Sequence, residues 1–228
     1  MNKKVYLVLL STLILALFFS GEGIYSQEKA IKEKQVRDFA QTSLEGYIKN
    51  VLTKENIGKF GFGSLDETKT ARVGGPLPVR IIELKELKAY KSGASVNTLP
   101  ADVDSTWFPV LAGNEVRAEL RILRIGGKLT SGDFGRTIEA QRLAAVREKM
   151  PEILQSKQIS ETNAVTILEV PELKAILLFV EAAQGEFLIP AMALPQRYEL
   201  NNGEVYPADK VLSRLREFAE KIPEGLIR

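Results

Sequence analysis

The sequence predicts an α+β protein: an antiparallel sheet of about six to seven strands in two meanders, with a long N-terminal helix, a middle helix and a C-terminal helix packed on it. Two observations support this fold class. Strand-like apolar segments occur in two groups of neighbours, and helical patterns precede, separate and follow these groups. Such runs of antiparallel strands divided by helices are typical of α+β folds rather than of alternating βαβ units.

Residues 1–26 predict a secretory signal peptide. Lys3 and Lys4 precede an apolar run of 15 residues, from Val5 to Phe19. A membrane-spanning helix needs about 20 apolar residues, so this run favours cleavage over a permanent anchor, which stays open as the alternative. We therefore expect an exported protein, periplasmic or extracellular, that contacts the membrane only if the signal is uncleaved.

The next segments define the expected domain organisation. Apolar side chains at helical spacing predict an N-terminal helix over residues 27–56, although Gly46 weakens its middle. The density of glycine and proline over residues 57–78 predicts a mobile connecting segment. The α+β globular domain is expected over residues 79–228.

The first strand group of this domain contains the most informative pattern. In the strand Val116–Ile125, the apolar alternation changes phase at Leu123. Because side chains alternate with a period of two, this change predicts a bulge or a switch of burial near Ile122 and Leu123. The group is expected to comprise Val79–Leu84, Thr106–Leu111, Val116–Ile125 and a strand from Lys128, with tight turns at Gly113-Asn114 and Gly126-Gly127.

The second strand group lies between two helices. A helix is expected over residues 136–149, ended by Pro151. The unbroken apolar run Ala175–Val180 predicts the most interior strand of the sheet. The remaining elements are strands at 163–170, 174–181 and 186–190 and a last helix from Pro207 to Ile222.

The composition excludes several kinds of chemistry. The chain has no histidine and no cysteine, which removes the Ser-His-Asp triad, the cysteine nucleophile and nearly all zinc sites. Without residues 1–26, which contain Lys3, Lys4 and Glu22, the chain carries 29 basic and 28 acidic side chains of interspersed sign. A nucleic-acid partner is therefore not expected. No cofactor is indicated.

Two local patterns supply candidate sites. Asp102 and Asp104 are weak candidates for a hard cation, since calcium prefers six to eight oxygen ligands and only two acids are present; a solvated turn is the favoured interpretation. Trp107, Phe108 and Pro109 form the candidate binding site, because a proline that cannot donate a ladder hydrogen bond predicts a sheet edge. That edge would either be protected by the core or bind a partner strand.

The leading functional hypothesis is a non-enzymatic binding module for peptide or protein at the cell envelope, acting through an exposed sheet edge or the groove beside the long helix. A carboxylate-dependent hydrolase of envelope glycans is the first alternative, and a structural subunit of an envelope complex is the second. The hydrolase would need acids that converge in a cleft. No such pair has a sequence signature, so Glu169, Glu172, Glu181 and Glu186 are expected to be surface charges.

Overall fold

The computed structural model describes residues 30–100, 104–135, 137–159, 162–192 and 198–223. These residues form a mostly antiparallel sheet of nine strands and four helices. The strands are β1 (Ala71–Val73), β2 (Leu77–Ile81), β3 (Ser105–Ala112), β4 (Glu115–Ile125), β5 (Lys128–Gly135), β6 (Thr162–Val170), β7 (Ala175–Ala182), β8 (Gly185–Pro190) and β9 (Tyr206–Pro207). The helices are α1 (30–50), α2 (Leu84–Ala89), α3 (Thr137–Ser156) and α4 (Ala208–Ala219).

The predicted α+β class and the two meanders are confirmed, with more strands than expected. The order in the sheet is β5-β4-β3-β2-β6-β7-β8-β9, and β1 pairs with β3 beside β2. One meander is β3-β4-β5 and the other is β6-β7-β8. They are joined through β2, which runs antiparallel to β3 and parallel to β6. The run Ala175–Val180 lies in β7, between β6 and β8, and is buried throughout.

Helix α1 ends earlier than the sequence pattern suggests. Residue 50 is its last helical residue, and the chain then turns. The Asn56 amide stabilises this end, since it donates to the Val51 carbonyl at 2.8 Å and accepts from the Thr53 N–H at 2.7 Å. The predicted signal peptide, residues 1–26, lies outside the described residues. Among the described helices, none is long and apolar enough to cross a membrane.

The segment 57–78 differs from the predicted connector because it contains β1 and the start of β2. Both strands pair with β3, one after the other along its length. Between them the chain passes close to β3 at Gly74, whose N–H donates to the Pro109 carbonyl at 2.7 Å. A Cβ at Gly74 would lie 2.7 Å from Pro109 Cγ and 2.7 Å from Leu111 Cδ1. Glycine is required here for this close approach.

The prediction that Thr106–Leu111 is a sheet edge is wrong. Strand β3 is interior, with β4 on one side and β1 and β2 on the other. Pro109 is accommodated because the N and O atoms of one strand residue point to the same side. Its carbonyl faces Gly74. The nitrogen of Pro109, which has no N–H, therefore faces the break between β1 and β2. No strand pairs with this side of β3 at this point, so the proline removes no hydrogen bond from the ladder.

The irregularity predicted near Ile122 is present, but the extra residue belongs to the neighbouring strand. From Leu120 to Ile122 the register advances two residues in β4, while β5 advances three, from Phe134 to Ser131. Residues 132 and 133 of β5 thus face one residue of β4 as a β-bulge. Burial in β4 is greatest at its middle, residues 118–122, rather than at its end.

Helix α3 continues past Pro151, where the sequence pattern predicted its end. It runs to Ser156 with the proline inside. Proline removes one backbone hydrogen bond from a helix. The last turn nevertheless places Leu154 in the core, where its side chain is 5% exposed. Burial of this side chain, which stabilises by roughly 1.5–3 kcal/mol, offsets the lost bond.

Both faces of the sheet are covered. One face, which we call the α3 face, packs its side chains against α3, among them Trp107, Ile167 and Leu178. The opposite face packs α2 and α4 on β6, β7 and β8. At the other end of that face, Tyr47 of α1 stacks on Phe134 of β5, with ring centroids 4.8 Å apart. The register places Phe134 with Leu120, on the side away from α3.

We predict that Gly74→Ala destabilises the fold by about 1–3 kcal/mol, because the added methyl group overlaps Pro109 and Leu111. Gly58→Ala is the matched control, since a Cβ there meets no atom within 4 Å. Urea unfolding of both variants measures the difference. Equal stability of the two variants would contradict the close approach described for Gly74.

Candidate functional site

The structure does not expose the predicted binding residues Trp107, Phe108 and Pro109. All three are buried, and the Trp107 and Phe108 side chains are 0% exposed. Trp107 lies on the α3 face, and Phe108 lies on the opposite face against Leu120 of β4. A partner strand therefore has no access to this stretch of β3, and these three residues serve the core.

Trp107 instead belongs to a buried polar network on the α3 face. Its indole N–H donates to Glu119 Oε2 at 2.7 Å. Arg121 donates from Nε to Glu119 Oε1 at 3.4 Å, and both of its terminal nitrogens donate to the two carboxylate oxygens of Glu169. The three charged side chains are at most 8% exposed. The network joins β4 of one meander to β6 of the other.

Two carboxylates face a single guanidinium in this network. Burial by itself lowers the pKa of Arg121, but the hydrogen bonds and negative charges of Glu169 and Glu119 outweigh burial and raise its pKa. Arg121 therefore stays charged. Glu169, expected on the surface, is buried because it supplies the carboxylate that this guanidinium needs. The sequence signal for this buried network is the alternation of charged and apolar residues in β4.

This network does not have the geometry of a catalytic acid and base. Both oxygens of Glu119 and both oxygens of Glu169 accept hydrogen bonds from Arg121 or Trp107. Three surface cavities are lined by described residues of α1 and β5, of α3 and the start of β6, and of α4 with residues 198–200. None of them is lined by a member of the network. The role of the network is structural.

We predict that Arg121→Met destabilises the protein by about 3–5 kcal/mol, because it leaves two carboxylates buried without their cation. Arg72→Met is the control, since Arg72 is exposed and donates a long hydrogen bond, 3.3 Å, to the Gly113 carbonyl. Thermal and urea unfolding of both variants provide the measurement. A loss for Arg121→Met no larger than that for Arg72→Met would show that the network is not required.

Of the two predicted cation candidates, Asp104 alone lies within the described residues. Asp102 lies outside the described residues. Asp104 forms an ion pair with Arg124, at 3.1 Å from Oδ2 to Nε, and its carbonyl accepts from the Arg124 N–H at 2.8 Å. Across the described ranges, no group of three or more acidic side chains could hold a metal ion.

A second polar cluster fixes α4 to the turn after α2. Asp209, in the first turn of α4, accepts from the Gly93 N–H at 2.7 Å and from the Tyr90 hydroxyl at 2.9 Å. The Ser92 hydroxyl lies 3.0 Å from both of its oxygens. The Gly93 bond first, then those of Tyr90 and Ser92, lower the pKa of Asp209. Burial and the bond to Asp209 raise the pKa of Tyr90.

The lowered pKa of Asp209 predicts a pH-dependent contribution to stability. A folded-state pKa below the ordinary value of 3.8 means that the contribution is full above that value and is lost as pH falls through the folded pKa. We expect Asp209→Asn to be less stable than the natural protein at pH 7, with the difference shrinking toward about pH 2.

Urea unfolding across this pH range tests the Asp209 prediction. Asp66→Asn makes the same change of charge at an exposed residue and controls for net charge. A stability difference for Asp209→Asn that is constant with pH would rule out the contribution of the ionised carboxylate.

The open edge of the sheet lies at β5 rather than at β3. Strand β5 is the outermost strand at one end and has eight residues, whereas β9 at the other end has two. Gly126 and Gly127 both have positive φ, at 55° and 80°, as a tight hairpin turn between β4 and β5 requires. The order of elements in the sequence allowed this edge without specifying it, since β5 is the third strand of a meander and a helix follows it.

The backbone of β5 presents hydrogen-bonding groups away from the sheet. The Arg124 N–H points toward β3, where it donates to Asp104. Leu129 lies opposite Arg124 in the β4/β5 register, so the two do not exchange hydrogen bonds. The N–H and C=O of Leu129 therefore point outward, as do those of Ser131 two residues on.

A groove of about 270 Å³ runs between this edge and α1. The Tyr47 hydroxyl lies in it, donating to the Gly132 carbonyl at 2.8 Å and accepting from Ser131 Oγ at 3.0 Å. Its lining residues carry no formal charge: Ser43, Gly46, Tyr47, Asn50, Val51 and Ser131. The surroundings thus suit an extended backbone better than a charged ligand.

Two further features single out this groove. Gly46 costs α1 about 1 kcal/mol relative to alanine, yet a Cβ there would meet no atom within 4 Å. The packing of the chain itself therefore does not require glycine. In addition, Val51, Ile125 and Ile138 are large apolar residues exposed by 39%, 61% and 60%. Val51 lines the groove, Ile125 pairs with the first residue of β5, and Ile138 follows its last residue closely.

Compared with known protein families, characterised proteins and solved structures, the chain has no significant match.

Proposed function

We propose that the protein is an exported, non-enzymatic binding module for peptide or protein, and that its binding surface is the outer edge of β5 with the groove beside α1. The observation that carries this proposal is the position of β5, an eight-residue outermost strand. Long open edges normally carry protection, because they offer a template for another strand. Among the described residues, the Tyr47 hydroxyl bonds the backbone of β5 at the Gly132 carbonyl.

The mode of binding follows from the groups that this edge offers. The outward N–H and C=O of Leu129 and Ser131 match the alternating donors and acceptors of an extended chain, as in strand addition to a sheet. The uncharged groove and the space at Gly46 favour close approach of a backbone. The export part of the proposal depends on the amino-terminal apolar run.

The two alternatives have less support. A carboxylate-dependent hydrolase would need paired acids in an accessible cleft, and Glu119 and Glu169 accept hydrogen bonds from Arg121 inside the core. Glu186, near the surface, accepts from the Val96 N–H at 2.7 Å and from the Ser95 hydroxyl. A structural subunit of an envelope complex would use the same β5 edge, and isolation only as an obligate complex would select it.

We predict that Ser131→Pro abolishes partner binding, because proline removes an outward N–H from β5 without taking a bond from the β4/β5 ladder. The measurement is capture from envelope extract by the tagged protein. We expect the natural protein to retain a partner and Ser131→Pro to lose most of it, about tenfold or more.

Ser131→Ala is the matched control, since it removes the hydroxyl bond to Tyr47 and keeps the backbone N–H. Circular dichroism and urea unfolding verify that both variants are folded. Retention of the same partners by Ser131→Pro would overturn the assignment of β5 as the binding edge. Turnover of any substrate by the purified protein would overturn the proposal that the protein is non-enzymatic.

A further inference from the structure

We propose that the strand bound at the β5 edge is β5 of a second copy of this chain, so that two nine-stranded sheets join into one across a two-fold axis. This inference rests on the proposed function of the β5 edge and names its partner. It is carried by the backbone groups of β5, by the faces on which its side chains lie and by the charges at its two ends.

The backbone of β5 is self-complementary about Thr130. The outward-pointing residues Leu129 and Ser131 lie on either side of Thr130. When two copies of β5 run antiparallel around a two-fold axis at Thr130, Leu129 of each faces Ser131 of the other. Each of these two pairs exchanges both of its N–H···O=C bonds. Pairing of the two strands therefore forms four new backbone hydrogen bonds and breaks none within either sheet.

The side chains agree with this register. Opposed residues in a sheet share a face, and Leu129 and Ser131 both pair with residues of β4 that lie away from α3, namely Arg124 and Ile122. Thr130 lies on the α3 face and is exposed. It would meet Thr130 of the second copy, and such cross-strand threonine pairs are favourable.

Charges at the two ends of β5 are complementary in the same arrangement. Lys128 and Asp133 are exposed. The β-bulge makes residues 132 and 133 occupy one strand position, so both face Lys128 of the second copy. The bulge also returns Asp133 to the α3 face, the face of Lys128. A strand without the extra residue would place the carboxylate on the wrong face, so the bulge allows two symmetric ion pairs.

The groove side of the edge is compatible with this pairing. A two-fold axis perpendicular to the sheet keeps each α1 on the face that it covers in a single copy. The exposed Val51 of each copy then lies on one side of the joined strands, next to the uncharged groove. Burial of these valines adds an apolar contribution to a contact otherwise made by backbone bonds.

Charge reversal with rescue tests the second copy as partner. Sedimentation of protein purified from cells that express the full chain is expected to show a dimer whose dissociation constant rises about tenfold for Lys128→Glu, and similarly for Asp133→Lys, because each change brings like charges together at both ends of the paired strands. The double variant, Lys128→Glu with Asp133→Lys, restores opposite charges and is expected to recover the affinity. Ser131→Pro is expected to be monomeric.

The outcomes separate this inference from the proposed function. A dimer weakened by each single reversal and restored by the double variant supports the pairing. A monomer at every concentration, combined with capture from extract that Ser131→Pro abolishes, overturns the second copy and leaves the proposed function standing. A dimer unaffected by Ser131→Pro and by the reversals overturns the β5 interface. A monomer that captures nothing overturns both.

Discussion

The ion pair between Arg121 and Glu169 is the contact on which the arrangement of the sheet depends. In the strand order of the described residues, the two meanders are joined through β2, which has three registered pairs with β3 and three with β6. On the face that α3 covers, the Arg121 guanidinium of β4 donates to both carboxylate oxygens of Glu169 in β6 and so links the two meanders. Because buried charges cost several kcal/mol when unpaired, only the register that joins them is compatible with a folded chain.

This constraint also explains why Trp107 is in the core. The tryptophan lies on β3 between the two charged strands, and its indole N–H satisfies Glu119, the second carboxylate of Arg121. With Trp107 fixed there, β3 is interior, and the break between β1 and β2 accommodates Pro109. The open edge is then displaced to β5, two strands away. The surface available for partners is thus a consequence of how the charges are buried.

The edge at β5, which we propose as the binding surface, offers backbone groups and an uncharged groove. Its backbone groups alternate between the ladder with β4 and the outside, its groove is uncharged, and the Tyr47 hydroxyl bonds Gly132 and Ser131. Asp209, whose pKa is lowered, lies away from this edge and joins α4 to the turn after α2. Recognition by strand pairing requires no titratable group.

The sequence by itself determined the fold class, the two meanders, the three long helices, the interior run of β7 and the lack of histidine and cysteine chemistry, because hydrophobic period and composition are local properties. Only the tertiary structure decided which strand is an edge, since a proline is tolerated wherever its missing N–H faces a gap, as Pro109 faces the break between β1 and β2. It also decided that Glu169 is buried, because a distant Arg121 supplies its counter-charge. Edges and buried charges depend on partners far apart in sequence, which no local pattern specifies.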